Sequence, residues 1–227
     1  MNSITLFSIF LTVAVYWLSR KLSFRFPSPF TAPVFLSTAM IIVILLLSGI
    51  SYEEYTPAKD IMTYLLGPAT VALAVPLYHN RAVLMSRLLP AFIGLTIGTI
   101  STIASAVWLV KAFGLSKTIA ATAATKAVTT PVAIEVAKVI GGDPALSAAF
   151  VMVAGMFGAL FGPLLLNVMK ITDPFSRGLS IGTVAHGIGT SQAVAEGPIQ
   201  GAVSGAAMGF AGIITSMILP WLFPLLY

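Results

Sequence analysis

The sequence predicts an all-α, polytopic membrane protein of about six full spans plus two interrupted helical elements. Three observations support this: an apolar composition, long uncharged runs, and a polar stretch that occurs twice. Of the 227 residues, 58% are hydrophobic and 8% are charged, whereas soluble domains carry about 25% charged residues. The runs 40–50 and 88–110 contain no charge. Because a bilayer core of about 30 Å takes roughly 20 apolar residues as helix, we expect a single integral membrane domain.

The first 113 residues predict four spans. They are expected at 4–18, 31–50, 61–78 and 88–113. The segment 51–60 carries four charged residues and is expected to be a solvated loop. Gly67-Pro68 falls inside the third span. Proline removes a backbone donor and clashes with the preceding turn, so we expect a kink or break there.

The second half predicts a two-copy repeat, at about 115–170 and 175–226. Lys126 aligns with His186 and Thr130 with Thr190, in each case 60 positions apart. Each copy has an interrupted element followed by a full span. The interrupted elements are expected at 117–140 and 177–196, and the spans at 145–169 and 199–226.

The interrupted elements either cross the membrane or turn back within it. Each has about ten residues on either side of its break, which gives helical arms of roughly 15 Å, half a bilayer. Re-entrance would place seven of the twelve Lys and Arg residues on the cytoplasmic side, as the excess of Lys and Arg in cytoplasmic loops requires. It would also make the two copies an inverted repeat, a common transporter architecture. We favour re-entrance, and crossing remains the alternative.

Lys126 is the first candidate for a substrate-binding residue. A lysine among alanines and threonines is costly at depth, so it is expected to face a cavity or a partner; the alternative is that it snorkels to the interface. Thr129, Thr130 and Pro131 follow it. A proline suits the first turn of a helix, a threonine could cap that helix, and a helix N-terminus favours an anion.

His186 is the counterpart of Lys126 in the second copy. Gly187 and Gly189 flank it and allow close backbone approach, and Thr190 and Ser191 add hydroxyls. Since histidine titrates near neutral pH, His186 is a candidate for proton coupling as well as substrate binding. The alternative is a histidine that is merely hydrogen-bonded.

Other residues and missing motifs narrow the function. Glu135 could form an ion pair with Lys138 or serve as a coupling carboxylate, whereas Glu196 is expected in a solvated turn. The sequence has two histidines and no cysteine, so we expect no zinc site and no metal or other cofactor. It lacks G-x-x-x-x-G-K-[ST] and G-x-S-x-G, which argues against an enzyme. The net charge of +5 belongs to short loops that set topology, so no nucleic-acid partner is expected.

Several stretches together resemble the LrgB/CidB family of bacterial membrane proteins, including its YohK-like branch. The carrying stretches are Leu47-Ser48-Gly49-Ile50-Ser51-Tyr52, Leu66-Gly67-Pro68-Ala69-Thr70-Val71-Ala72-Leu73-Ala74, Pro76-Leu77-Tyr78, Lys126-Ala127-Val128-Thr129-Thr130-Pro131, Ala185-His186-Gly187-Ile188-Gly189-Thr190 and Gly212-Ile213-Ile214-Thr215-Ser216. The resemblance covers nearly the whole chain. The K-x-V-T-T-P and H-x-x-G-T pair is its most specific part.

The resemblance implies two functions. One is transport of small carboxylates: pyruvate in some bacteria, and glycolate with glycerate in a plastid relative. The other is an antiholin- or holin-like regulation of murein hydrolase activity and autolysis, with no specific substrate. Both place the protein in the bacterial inner membrane with a small LrgA/CidA-like membrane partner. Lysine, hydroxyls and helix ends converging at depth favour the carboxylate. A homodimer is our expectation, although the small residues at 201–207 would pack within one subunit equally well.

Overall fold

The computed structural model describes residues 3–26, 31, 33–72, 74–79 and 81–227, and the described residues form helices and no strand. The chain divides into two compact units, 1–74 and 75–227. The first unit contains α1 (Ser3–Arg25), α2 (Pro33–Ser48) and α3 (Tyr52–Ala72). Helix α1 packs against both α2 and α3. Thr12 of α1 and Tyr55 of α3 share a hydrogen bond of 2.9 Å.

The expected loop at 51–60 is wrong, because α3 begins at Tyr52. The Glu54 carboxylate accepts from the backbone N–H of Ser51 at 2.8 Å, and the Ser51 hydroxyl accepts from the Glu54 N–H at 3.2 Å. This reciprocal pair is a capping box, which satisfies N–H groups that a helix start otherwise leaves unpaired. The helix also continues through Pro68 and ends at Ala72, so the expected single span at 61–78 is replaced by the end of α3 and a short α4 (Ala74–His79).

The second unit is built from α5 to α11, with α4 beginning at the boundary between the two units. Its helices are α5 (Arg81–Ser86), α6 (Leu88–Ala112), α7 (Lys117–Ala124), α8 (Thr130–Ile140), α9 (Pro144–Val168), α10 (Pro174–Glu196) and α11 (Pro198–Leu226). The interruptions expected in both copies are present. One separates α7 from α8, and the other lies inside α10 at His186, whose φ of 40° and ψ of −136° are not helical.

Helix α10 is a hairpin rather than a rod. In a straight helix, residues 19 positions apart would lie about 28 Å apart. Instead, Arg177 donates to both carboxylate oxygens of Glu196, at 2.8 and 2.9 Å. Ile181 and Ala193 likewise share one buried cluster. The chain therefore reverses at His186, between arms at 174–185 and 187–196.

The Arg177–Glu196 pair closes the open end of this hairpin. Both side chains are largely buried, at 10% and 14% exposure. Arg177 also donates to the Asn167 side chain at 2.8 Å and to the Ile171 carbonyl at 3.0 Å. The expectation that Glu196 is solvated is therefore wrong, because the Arg177 guanidinium draws its carboxylate inward.

Helices α7 and α8 form a second hairpin. The Asp143 backbone N–H, just beyond α8, donates to the Thr122 hydroxyl of α7 at 2.8 Å. Val136 of α8 shares a buried cluster with Ala120 and Ala124 of α7. The expected turn is present between this hairpin and α9, where Gly141 adopts a φ of 80° and the Asp143 side chain caps α9.

Four described helices are long and apolar enough to cross a membrane: α1, α6, α9 and α11. Helix α2, with 16 residues, is shorter than the roughly 20 that a full crossing takes. An all-helical membrane architecture is thus present in the described chain. Six full spans stay a prediction.

Candidate functional site

The first break is a tight turn that separates two half-helices. The N–H groups of Thr125 and Lys126 bond to carbonyls three residues earlier, which is the geometry of a helix end tightening before it stops. Thr129 then precedes α8 with extended backbone, and Pro131 lies in the first turn. The expectation of a threonine cap is wrong, because the Thr129 side chain makes no capping hydrogen bond.

Lys126 is a cation without an acidic partner in the described chain. Its side chain is half-buried, and its ammonium donates to the Thr102 carbonyl of α6 at 2.9 Å. The ion pairs formed by described residues involve other cations. A carbonyl dipole solvates an ammonium but leaves its charge uncompensated, and an unpaired charge is costly in an apolar interior.

The second break is organised by the His186 side chain. His186 is 4% exposed, and its Nε2 donates to the Val151 carbonyl of α9 at 2.9 Å. Gly155 makes room for the ring, since a Cβ there would lie 2.6 Å from the imidazole Cε1. Positive-φ backbone strain of the kind found at His186 costs about 1–3 kcal/mol and clusters at functional sites. The imidazole contacts show how the strained residue is held in place.

The two breaks meet at Val151. Val128 of the first break and Ala133 of α8 belong to one buried cluster with the Val151 side chain, while His186 bonds to its carbonyl. The hairpins reach this point from opposite ends of α9. The α7–α8 hairpin lies beside Ser147, near the start of α9, and the base of α10 lies at Asn167, near its end. The structure therefore brings the breaks of the two sequence copies together.

Two buried hydroxyl pairs support the breaks. Thr125 shares a hydrogen bond with Ser147 of α9, and Thr190 shares one of 2.9 Å with Ser204 of α11. Thr190 also donates to the His186 carbonyl at 2.8 Å, a backbone group next to the strained residue. Sequence reasoning missed three of these four residues. Thr125 lies beside the first break in the sequence, but Ser147 and Ser204 lie in the helices that follow and carried no local signal.

The remaining predicted site residues divide into inner and outer positions. Thr129 and Thr130 are half-buried and Gly189 is buried, whereas Pro131, Gly187 and Ser191 are exposed. Gly189 packs the α10 arms together, since a Cβ there would collide with Ala185 and Ile181. Ser191 donates to the carbonyl of Ile188. Glu135 forms the ion pair expected as one alternative, in which its exposed carboxylate accepts from Lys138 at 2.7 Å. Its role as a coupling carboxylate stays a prediction.

Comparisons with known proteins match the chain over nearly its whole length. Residues 12–225 fit the model of the LrgB-like family. The chain is 31% identical over 222 residues to the "Holin-like protein CidB" of Staphylococcus aureus, covering 98% of this chain and 97% of that one. It is 35% identical over 223 residues to the "Uncharacterized protein YxaC" of Bacillus subtilis, covering 97% of each chain. No solved structure matches.

Proposed function

We propose that this chain, which belongs to the LrgB-like family and is a multi-pass membrane protein, transports small monocarboxylates such as pyruvate, glycolate or glycerate across the bacterial inner membrane. The observation that carries the proposal is the Lys126 ammonium. It is half-buried, bonds the Thr102 carbonyl, and has no carboxylate partner among the described residues. Because an inward-facing charge is stabilised by pairing, a substrate carboxylate is the natural partner.

The surroundings of Lys126 add donors for the same anion. Helix α8 starts four residues later, with Pro131 in its first turn. The free N–H groups and the dipole of a helix start favour negative charge. The Thr129 hydroxyl lies at the start of this helix and makes no capping hydrogen bond, and its O–H can donate to a carboxylate.

The arrangement of the hairpins supports transport over static binding. Two broken elements whose tips meet beside one continuous helix fit an inverted repeat, and such repeats allow alternating access around a central site. His186 lies at the second tip, where it would orient the substrate or carry a coupled proton. A small LrgA/CidA-like membrane partner and a homodimer complete the proposal.

Uptake into proteoliposomes tests the proposal. Labelled pyruvate and glycolate are offered to wild type, Lys126→Ala and Lys138→Ala, with and without the small partner. We expect uptake by wild type, complete loss in Lys126→Ala and retention in Lys138→Ala, because Lys138 is an exposed lysine already paired with Glu135. Normal uptake by Lys126→Ala would reject the site, and no uptake by wild type under any gradient would reject the function.

The second candidate function is a holin-like regulator of murein hydrolase activity without a specific substrate. The name of the Staphylococcus aureus relative favours it. It predicts that an autolysis phenotype depends on the small partner and on assembly but survives Lys126→Ala and His186→Ala. The transport proposal predicts that both substitutions remove any autolysis effect, since that effect would result from carboxylate flux. Lysis curves of the two variants therefore separate the candidates.

A further inference from the structure

We propose that the end of the second unit where α6 and α11 finish binds a phospholipid with a net negative headgroup. The headgroup contacts Lys111 and Lys117, and one acyl chain fills an apolar groove beside α6. Lys111 lies nine residues beyond Thr102, about 14 Å along α6, so this site is separate from the one around Lys126. It does not depend on the transport proposal.

Two lysines meet at one aromatic ring. Lys111 is in the last turn of α6 and Lys117 is the first residue of α7, and their ammoniums lie 5.3 and 5.8 Å from the centre of the Tyr227 ring. Like charges held near one ring repel each other, and an anion beside them offsets that repulsion. A cation at a helix start, such as Lys117, is also opposed by the helix dipole.

The charges of both lysines lack an acidic partner among the described residues, the carboxylate of Tyr227 included. Lys111 donates to the Leu226 carbonyl at 3.1 Å, which uses one of the three donors of its ammonium. The acidic side chains of the adjoining α7–α8 hairpin and its turn are engaged elsewhere. Glu135 pairs with a lysine of its own helix, and Asp143 accepts from a backbone N–H of α9.

An open groove of about 430 Å³ lies beside Lys111, and its lining is mostly apolar. The lining residues span about 10 Å of α6 and include Trp108, which is 69% exposed. Tryptophan at such a position is typical of the level of the lipid headgroups in a membrane. The groove is lined by Ala104, Ser105, Val107, Trp108, Lys111 and Leu226.

The order of these features favours a lipid over a soluble anion. Helix α6 is long and apolar enough to cross a membrane, and along it the apolar groove leads to a lysine in the last turn. A phospholipid has the same order, from acyl chain to phosphate, whereas a soluble phosphate would leave the groove empty. A lysine near the membrane surface attracts anionic lipid roughly fivefold. Two lysines therefore give a preference of about twenty-five-fold over a lipid with no net charge.

Fluorescence quenching at Trp108 tests the site. The other two tryptophans, Trp17 and Trp221, are exposed and are replaced by phenylalanine. The protein is reconstituted in phosphatidylcholine vesicles that contain increasing amounts of phosphatidylglycerol with brominated acyl chains, which quench a tryptophan on contact. We expect half-maximal quenching at about 4 mol% phosphatidylglycerol, as the twenty-five-fold preference requires. Quenching that rises only in proportion to the bulk lipid fraction would overturn the proposal.

Three variants that each remove one positive charge assign the preference to the two lysines. Lys111→Gln and Lys117→Gln should each move half-maximal quenching to roughly 15–20 mol%, and glutamine keeps a donor for the Leu226 carbonyl. Lys138→Gln is the matched control and should leave the value unchanged, because Lys138 is an exposed lysine paired with Glu135. Equal shifts in all three would show a general attraction between a basic protein and an acidic membrane, and would overturn the site.

Two further measurements test the acyl chain and the source of the phosphate. Ala104→Leu fills the groove and should raise the half-maximal value severalfold, whereas Ala112→Leu, at an exposed position of α6 outside the groove, should not. An unchanged value in Ala104→Leu would overturn the placement of the chain. Inorganic phosphate should displace no more brominated lipid than chloride of equal ionic strength. Loss of the preference in phosphate alone would show that the lysines bind a soluble anion.

Discussion

The two hairpins share one sequence pattern but are held together in different ways. The α10 hairpin is closed by a largely buried, two-fold hydrogen-bonded ion pair, Arg177 with Glu196. In the α7–α8 hairpin the residue aligned with Arg177 is Lys117, which is exposed and lies over the Tyr227 ring at 5.8 Å. Lys126, which has no acidic partner among the described residues, is at the tip of the more loosely tied hairpin. The α10 hairpin is thus the one closed by a buried ion pair.

The largest expected effect comes from opening the ion pair. Arg177→Ala leaves the Glu196 carboxylate uncompensated and should lower the free energy of unfolding by about 3 kcal/mol, the usual cost of removing one partner of a buried pair. Lys117→Ala, at the aligned position, should change it by less than about 0.5 kcal/mol. Unfolding in lipid–detergent mixtures measures both. Equal effects would show that the hairpins are not tied differently.

An intermediate effect comes from the helix faces that pack against the following span. Gly182 lies against the Ser204 backbone, where a Cβ would approach the carbonyl oxygen to 2.3 Å, so Gly182→Ala should cost about 1–3 kcal/mol through overpacking. Its aligned residue is Thr122, which accepts from the Asp143 N–H. Thr122→Val should cost about 1 kcal/mol for that lost hydrogen bond.

The same unfolding assay checks these two substitutions. A larger cost for Thr122→Val than for Gly182→Ala would reverse the comparison, because it would make the hydroxyl of the first hairpin a stronger tie than the close backbone contact of the second.

The smallest effect is a pH dependence confined to the α10 hairpin. Asp173 caps α10, and the side-chain and backbone hydrogen bonds from Ser176, with Arg87, lower the pKa of its carboxyl. The ionised Asp173 carboxylate therefore stabilises the folded protein above the ordinary carboxyl pKa of about 3.9. This stabilisation is lost as the pH falls through the lowered pKa.

The matched position in the other hairpin does not titrate, because the cap of α7 is the Ser116 hydroxyl. We expect wild type to lose a small increment of thermal stability below about pH 4, and Asp173→Asn to lack that increment at every pH. A pH scan of melting temperatures measures it. An identical acid dependence in both proteins would contradict the role of Asp173.

Features that depend on composition and local pattern could be predicted from the sequence. The uncharged run at 88–110 predicted α6, the repeat predicted α9, and the aligned Lys126 and His186 predicted both breaks. Features that depend on long-range contact could not. The Arg177–Glu196 pair requires a chain reversal that local pattern does not reveal. The histidine at the second break was recognised, but its bond to Val151 depends on how α9 packs against α10.

The capping box at Ser51 and Glu54 was missed for a different reason. A cluster of charges favours a solvated loop by composition, yet serine followed three positions later by glutamate is a local helix-start signal. Here the serine–glutamate pattern was the more specific signal, and the chain forms a helix where its charged composition favours a loop.

The closed base of α10 has a consequence for topology mapping. Because Arg177 and Glu196 meet, the 23 helical residues of α10 begin and end at the same end of α9. Reporter enzymes fused after Asp173 and after Gly197 should therefore report the same compartment. A topology count that takes every long helix as one membrane crossing would take α10 as a crossing. It would then give α11 the wrong direction. The parity of the map, and with it the side from which each hairpin tip is reached, depends on counting α10 as a hairpin.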